Sequence, residues 1–189
     1  MKPSRTLIAL FSIGLAMTAG CTTANAGLDP IAAPQISPYR LGAGDEVRIT
    51  VYGFDQMTNS YAVSDTGTIS LPLLPPLAVG GRTVAEVEQS VGAALKAKEL
   101  VNDPSVSAQV VKYRPFFILG EVQRPGQYPF VPGMSVLTAV TIAGGYTFRA
   151  EKKNATITRQ SGNAVIKGSG DQTALIAPGD TILIRESWF

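Results

Sequence analysis

"LGAGDEVRIT", Leu41 to Thr50, joins a Gly-Asp turn to a run in which Val47 and Ile49 alternate with Glu46, Arg48 and Thr50. Strict alternation, continued by Val51, is the pattern of a strand with one buried face. Gly44 permits a positive φ at the turn, and the Asp45 side chain can accept hydrogen bonds from nearby backbone N–H groups. The wording recurs in "IAPGDTILIR", Ile176 to Arg185, where Ile182 and Ile184 share one face of a last strand. Each Gly-Asp is a strand-opening device, used once at the start of a first unit and once at the end of a second. Two unrelated turns account for the likeness, and no duplication is required.

Working outward, "YAVSDTGTISLP" predicts a hairpin: a strand over Tyr61–Val63, a turn at Ser64-Asp65-Thr66-Gly67, and a return strand through Ile69 and Leu71. Pro72, Pro75 and Pro76 lack ladder donors, so the next stretch belongs on an edge or over the surface. In "RTVAEVEQSVGAALKAKEL" a capping box of Thr83 and Glu86 opens a helix. Val84, Val87, Val91, Ala94 and Leu95 recur at helical spacing, and Glu88, Lys96 and Lys98 fall on its other face. "SVSAQVV" then alternates with Val106, Ala108 and Val110 inward. Residues 39–113 form the first unit, a small mixed α/β domain.

Residues 114–189 form the second. Phe116–Leu119 reads as a strand, Arg124-Pro125-Gly126 as a turn, and Tyr128–Phe130 as leading away from it. Ser135 can N-cap a helix with Leu137, Val140 and Thr141 on one face and Gly144 at its end. "NATITRQSGNAVIKG" reads as a hairpin turning at Ser161-Gly162-Asn163. Two strands, a helix, then further strands fit a β-grasp arrangement, and the whole chain is of the α+β class.

The chain has 189 residues, 45% hydrophobic and 16% charged, with a formal net charge of +2. That excess comes from Lys2 and Arg5; from residue 27 onward acids and bases balance, which gives no electrostatic reason to bind nucleic acid. Histidine is absent, which removes the commonest general base and metal ligand near neutral pH. Residues 1–26 have the form of a secretory signal, a basic start followed by the apolar run Leu7–Met17. At 1.5 Å per residue that run is too short to span roughly 30 Å of hydrocarbon as a helix. "TAGC", ending at Cys21, is like a bacterial lipobox, which would make residues 1–20 the signal and Cys21 the lipid attachment; "ANA", Ala24–Ala26, is an alternative cleavage site. Residues 27–38, with three prolines, read as an extended tether.

Candidate chemistry is sparse. Gly42 and Gly44 make a Gly-x-Gly, but Val47 stands at the third fingerprint position and a strand follows rather than a helix. Asp45, Glu46, Asp55 and Asp65 raise a carboxylate pair of the glycosidase kind, yet Asp45 and Asp65 sit where turns favour Asp and Glu46 alternates outward. The chain is read as no enzyme, with no cofactor and no metal. Tyr39, Tyr52, Phe54, Tyr61, Tyr113, Phe116, Phe117, Tyr128 and Phe130 read chiefly as packing residues. Trp188 and Phe189, beyond the last strand's pattern, are a candidate subunit or partner contact.

"YRLGAGDEVRITVYG", "YAVSDTGTISLPLL", "LAVGGRTVAEVEQSV" and "VNDPSVSAQVV" resemble, in order, the export domain of the outer-membrane polysaccharide export proteins, the Wza and GumB family. "FFILGEVQRPGQYPFVPGMSVLTAVTIAGGYT" resembles the β-grasp SLBB domain that follows it there. Gly44, Asp45, Asp65, Gly67, Pro72, Gly120, Pro125, Gly126, Gly144 and Gly145 fall on the family's turn pattern. The resemblance implies a homo-oligomeric ring, an octamer among its candidate sizes, that forms a conduit for capsular or extracellular polysaccharide. It implies as partners an inner-membrane polysaccharide co-polymerase, the polymer itself and a separate outer-membrane β-barrel. The ring would lie at the periplasmic face of the outer membrane, lipid-anchored if Cys21 is acylated and periplasmic otherwise. "IRESWF" at the end resembles a short form without the family's C-terminal transmembrane helix. A periplasmic module binding a small sugar through the SLBB domain is the alternative.

Overall fold

The computed structural model describes residues 29–31, 38–162 and 164–187; the expected signal, Cys21, Asn163, Trp188 and Phe189 lie outside them. The alternation around Val47 becomes strand β1 (Glu46–Val51), with Val47, Ile49 and Val51 buried on one face. β1 is the centre of an antiparallel three-stranded sheet, flanked by β2 (Asn59–Ala62) and, later in the chain, by β5 (Val106–Lys112). A two-stranded ribbon of β3 (Thr68–Ile69) and β4 (Leu77–Ala78) lies apart from it. Helix α1 (Val84–Ala97) starts on the expected capping box, with both reciprocal bonds between Thr83 and Glu86 present. Val87, Val91 and Leu95 bury its inner face in a core shared with Val47, Ile49, Val51 and Ala108.

The second core gathers around β6 (Phe116–Gly120), β7 (Gly126–Tyr128), α2 (Val136–Ile142), β8 (Asn154–Ser161), β9 (Ala164–Asp171) and β10 (Thr181–Ile184). The sheet order is β7-β6-β10-β8-β9, with β6 and β10 parallel at its centre and the other pairs antiparallel. Parallel neighbours need a long crossover; here it carries α2, whose Val136, Ala139 and Val140 pack in the same core as Phe116, Ile118, Ile157, Ile182 and Ile184. This is the β-grasp arrangement, and the chain as a whole is α+β.

Five expectations are corrected. The Ser64–Gly67 turn forms, but its flanking strands do not pair with each other: β2 pairs with β1, and β3 pairs with β4 after the Gly67 carbonyl accepts the N–H groups of Val79 and Gly80. Tyr128 does not lead away; β7 folds back on β6, with Phe116 opposite Tyr128 and their rings stacked at 6.0 Å. On α2 the buried face is Val136, Ala139 and Val140, while Leu137 is 45% exposed and Thr141 is exposed. Positions 136, 139 and 140 stand at i, i+3 and i+4 and share one helix face, which position 137 does not. Glu88 is not idle on the solvent face of α1, because its carboxylate accepts the Ala108 N–H at 2.8 Å. Finally, part of the expected tether is docked: Asp29–Ile31 runs parallel to β9, bonded through Ile31 N–H to Ser169 O at 2.7 Å and Ser169 N–H to Asp29 O at 3.0 Å.

Candidate functional site

The two Gly-Asp turns are built alike. In the first, Gly44 has φ 88° and the Asp45 N–H donates to Gly42 O at 3.1 Å; the carboxylate accepts the Gly42 N–H at 2.8 Å. In the second, Gly179 has φ 84°, the Asp180 N–H donates to Ala177 O at 3.1 Å, and the carboxylate accepts the Ala177 N–H at 2.7 Å. Both aspartates are fully buried. A buried carboxylate requires a cation or several donors, and each has both. Arg159 grips Asp180 with Nε at 2.9 Å and Nη2 at 2.7 Å. Asp45 takes the Tyr39 hydroxyl at 2.6 Å, the Arg114 N–H at 2.7 Å and Arg114 Nη1 at 3.2 Å.

Arg114 brings the turns together. While its N–H and Nη1 hold Asp45, its Nε donates to Pro178 O at 3.1 Å, and the next residue's carbonyl, Pro115 O, accepts the Gly179 N–H at 3.1 Å. The guanidinium also donates to the Tyr39 hydroxyl at 3.0 Å and lies 5.9 Å from the centre of its ring. A Cβ at Gly42 would come within 2.2 Å of Arg114 Nη1, and one at Gly179 within 2.9 Å of its Nε, so both glycines leave the space that the arginine fills. Tyr39 packs edge-on against Tyr113 at 5.0 Å, and Tyr113 against Phe130 at 5.7 Å, carrying the contact from one core to the other. Burial, and then the hydrogen bond to Asp45, push the Tyr39 phenol far above its ordinary pKa of 10.0, so it stays a neutral donor. The arrangement can hold two lobes at a fixed angle. It is poorly suited to acid–base work, because the Asp45 carboxylate is sealed from water and already occupied on both oxygens.

The other singled-out residues are scattered. Asp65 sits in an exposed turn and accepts the Thr66 N–H, and Gly67 has φ 73° against Gly80. Pro72 and Pro125 are exposed. Gly120 has φ 90°, and a Cβ there would lie 2.0 Å from Ile184 O. Gly126, by contrast, has no positive φ and space around it. Gly144 and Gly145, at φ 88° and 93°, end α2 by donating to Thr141 O and Val140 O. None of these reaches the junction. Arg114 and Arg159 were not legible as site residues; a lone arginine between two units was the available signal. Among the described residues no group of acids could hold a metal ion, and no helix is long and apolar enough to cross a membrane.

Comparison with known proteins fits this two-part architecture. Residues 33–111 match the polysaccharide biosynthesis/export protein family and residues 115–169 match the SLBB domain. The chain is 32% identical over 160 residues to the exopolysaccharide production protein ExoF of Rhizobium meliloti (strain 1021), an alignment covering 79% of this chain and 37% of that one. It is 29% identical over 148 residues to the EPS I polysaccharide export outer membrane protein EpsA of Ralstonia nicotianae, covering 64% and 38%. The EpsA of Ralstonia solanacearum is 32% identical over the same length. The chain thus spans under two fifths of the length of the curated relatives it matches.

Proposed function

Because the chain belongs to the polysaccharide biosynthesis/export protein family, we propose that it is a non-catalytic component of a polysaccharide export route, assembled as a ring of identical subunits on the periplasmic side of the outer membrane. The single observation that carries this reading is the junction: the export unit and the SLBB unit are fixed to each other by Asp45, Arg114 and Pro178 O. A ring closes only if every subunit presents its two contact surfaces at the same angle, and a clamp of this kind supplies a constant angle. A polymer passing through such a ring is moved without turnover. The polymer chain and an inner-membrane co-polymerase are its expected partners, with acylation at Cys21 as the expected anchor.

The test is deletion of the gene with measurement of polysaccharide outside and inside the cells, complemented by wild type and by Cys21→Ser. Export predicts that external polymer disappears and returns with wild type; failure of Cys21→Ser would assign the anchor to the lipid. External polymer unchanged by deletion would overturn the proposal and bring the small-sugar binding module forward.

A further inference from the structure

The exposed side of α1 carries a groove. One cleft, of about 550 Å³, lies between the start of the helix and the Gly80-Gly81 turn, and a second, of about 420 Å³, lies between its later half and segment 104–106. Gln89 and Ala93 line both, so the clefts meet across the helix over a saddle kept low by the alanine. Gly80, Gly81 and Gly92 leave the walls without bulk, and the larger apolar contributions, Pro104 and Val106, stand at the far end. Protein partners are anchored by large aromatic or aliphatic side chains seated in pockets. A groove of glycine, alanine, amide, hydroxyl and cation has no such seat and suits a hydroxyl-rich strand.

Its charges say which kind of strand. Arg40 and Arg82 stand beside the helix start and Lys96 near its end, against Glu86 and Glu88. Both acids are already committed. Glu86 accepts the Thr83 N–H at 2.8 Å and Arg40 Nη1 at 3.3 Å, and Glu88 accepts the Ala108 N–H at 2.8 Å. The same Nη1 of Arg40 donates to Gly81 O at 2.7 Å, which pins that side chain to the cleft wall. Arg82 is different, because among the described residues it pairs with no carboxylate. Its Nη1 donates to the Ser90 hydroxyl, which in turn donates to Glu86 O at 2.7 Å. That contact engages one of the five N–H donors of a guanidinium. Most of a planar fork is left facing the cleft, and such a fork matches a carboxylate bidentately.

We propose that this groove binds a carboxylated saccharide strand, with Arg82 selecting the acid group and Gln89 meeting ring hydroxyls. The inference rests on the export reading above and names the class of polymer that the chain handles. Fluorescently labelled hexagalacturonate, a carboxylated strand, and maltohexaose, a neutral one, are titrated with the exported, purified chain and followed by anisotropy, which reads binding whatever the oligomeric state. Arg82 and Ala93 are exposed, so substitutions there leave the core alone. Hexagalacturonate should bind and maltohexaose should not. Arg82→Gln should weaken binding about tenfold or more, and Ala93→Phe, which raises the saddle, should weaken it as well. Lys167→Gln, at an exposed cation of the second unit, should leave it unchanged. Equal affinity for the two strands, or equal losses in Arg82→Gln and Lys167→Gln, overturns the proposal. Capture of phosphatidylglycerol vesicles that is lost in Arg82→Gln, with no saccharide bound, assigns the groove to a lipid headgroup and overturns it too. The two readings fail separately: external polymer lost on deletion together with a flat titration leaves export and removes the groove, whereas binding as expected with external polymer unchanged by deletion leaves the groove and removes export.

Discussion

Arg114 holds Asp45 with two different parts of itself, its backbone N–H at 2.7 Å and its guanidinium Nη1 at 3.2 Å, although 69 positions separate them. The backbone bond fixes where the chain leaves β5, and the side chain's Nε then reaches Pro178 O. A turn that opens the first strand is thereby coupled to the turn that opens the last. The sequence repeats Gly-Asp because each turn has to bury a carboxylate against an arginine and still run straight into a core strand.

Asp45→Asn tests that coupling. The amide keeps the shape, but it presents N–H groups where four donors now converge and removes the charge that Arg114 faces. Loss of about 2–4 kcal/mol is expected. Asp65→Asn, in an exposed turn with one bond to the Thr66 N–H, should stay within about 0.5 kcal/mol of wild type. Urea unfolding midpoints of the two variants decide the matter; equal midpoints would show that Asp45 is an ordinary turn residue.

The same junction should weaken in alkali. Burial first, and the bond to Asp45 second, raise the Tyr39 pKa in the folded chain above its ordinary 10.0. For a raised pKa the stabilising contribution is complete below the unfolded value and is lost as pH rises through the folded one. Above about pH 10 the unfolded chain sheds a proton that the folded chain retains, so stability falls with pH. Tyr39→Phe removes this dependence while losing a hydrogen bond. Its urea midpoint should be lower than wild type at about pH 8 and should fall less steeply toward about pH 11. Parallel slopes for the two chains would mean that Tyr39 ionises freely.

Local rules carried the reading wherever one element decided its own structure. Alternation located β1 and β10, the capping box located the start of α1, and Ser161-Gly162 located the β8–β9 turn. They failed where a partner decides. Tyr61 and Ile69 flank a good turn, but their neighbours are Val47 and Leu77, and no pattern in a single segment states its partner. Leu137 has the better hydrophobic side chain, yet the face turned to the core is that of Val136, Ala139 and Val140. Asp45 was legible as a turn residue and not as a buried charge, because Arg114 and Tyr39 come from 69 and 6 positions away. The glycines of "IKGSGD" did carry a signal for the docked segment Asp29–Ile31, since two glycines weaken a strand unless something lies against them.

Acid should loosen the start of α1. The Thr83 backbone N–H, and then Arg40, hold the Glu86 carboxyl below its ordinary 4.5. For a lowered pKa the contribution is complete above the unfolded value and is lost as pH falls through the folded one. Titration of the Glu86 side chain by NMR should therefore give a value below its ordinary 4.5. Glu86→Gln should flatten the acid limb of the stability curve below about pH 4.5 while keeping much of the capping geometry. An unchanged acid limb would remove the capping box as a source of pH dependence.

Gly120 and Gly126 both read from the sequence as turn residues, but the structure predicts opposite sensitivities. Gly120 has φ 90°, a conformation that side chains rarely adopt, and a Cβ would strike the Ile184 carbonyl at 2.0 Å. That carbonyl already accepts the Glu121 N–H at 2.9 Å, and it lies at the end of the parallel β6–β10 pair. It cannot retreat without opening the centre of the sheet. Backbone strain of about 1–3 kcal/mol and overpacking of about 1–3 kcal/mol add, so Gly120→Ala should cost roughly 2–6 kcal/mol. At Gly126 the φ is ordinary and a Cβ would meet only the edge of the Tyr128 ring at 3.9 Å. Gly126→Ala should be neutral, or stabilising by up to about 1 kcal/mol through the unfolded chain. Thermal unfolding of the two variants should separate by more than 5 °C, given about 4–8 °C per kcal/mol for a lobe of this size. Similar losses in both would show that Gly126 is constrained by something other than its φ and the space around its Cα.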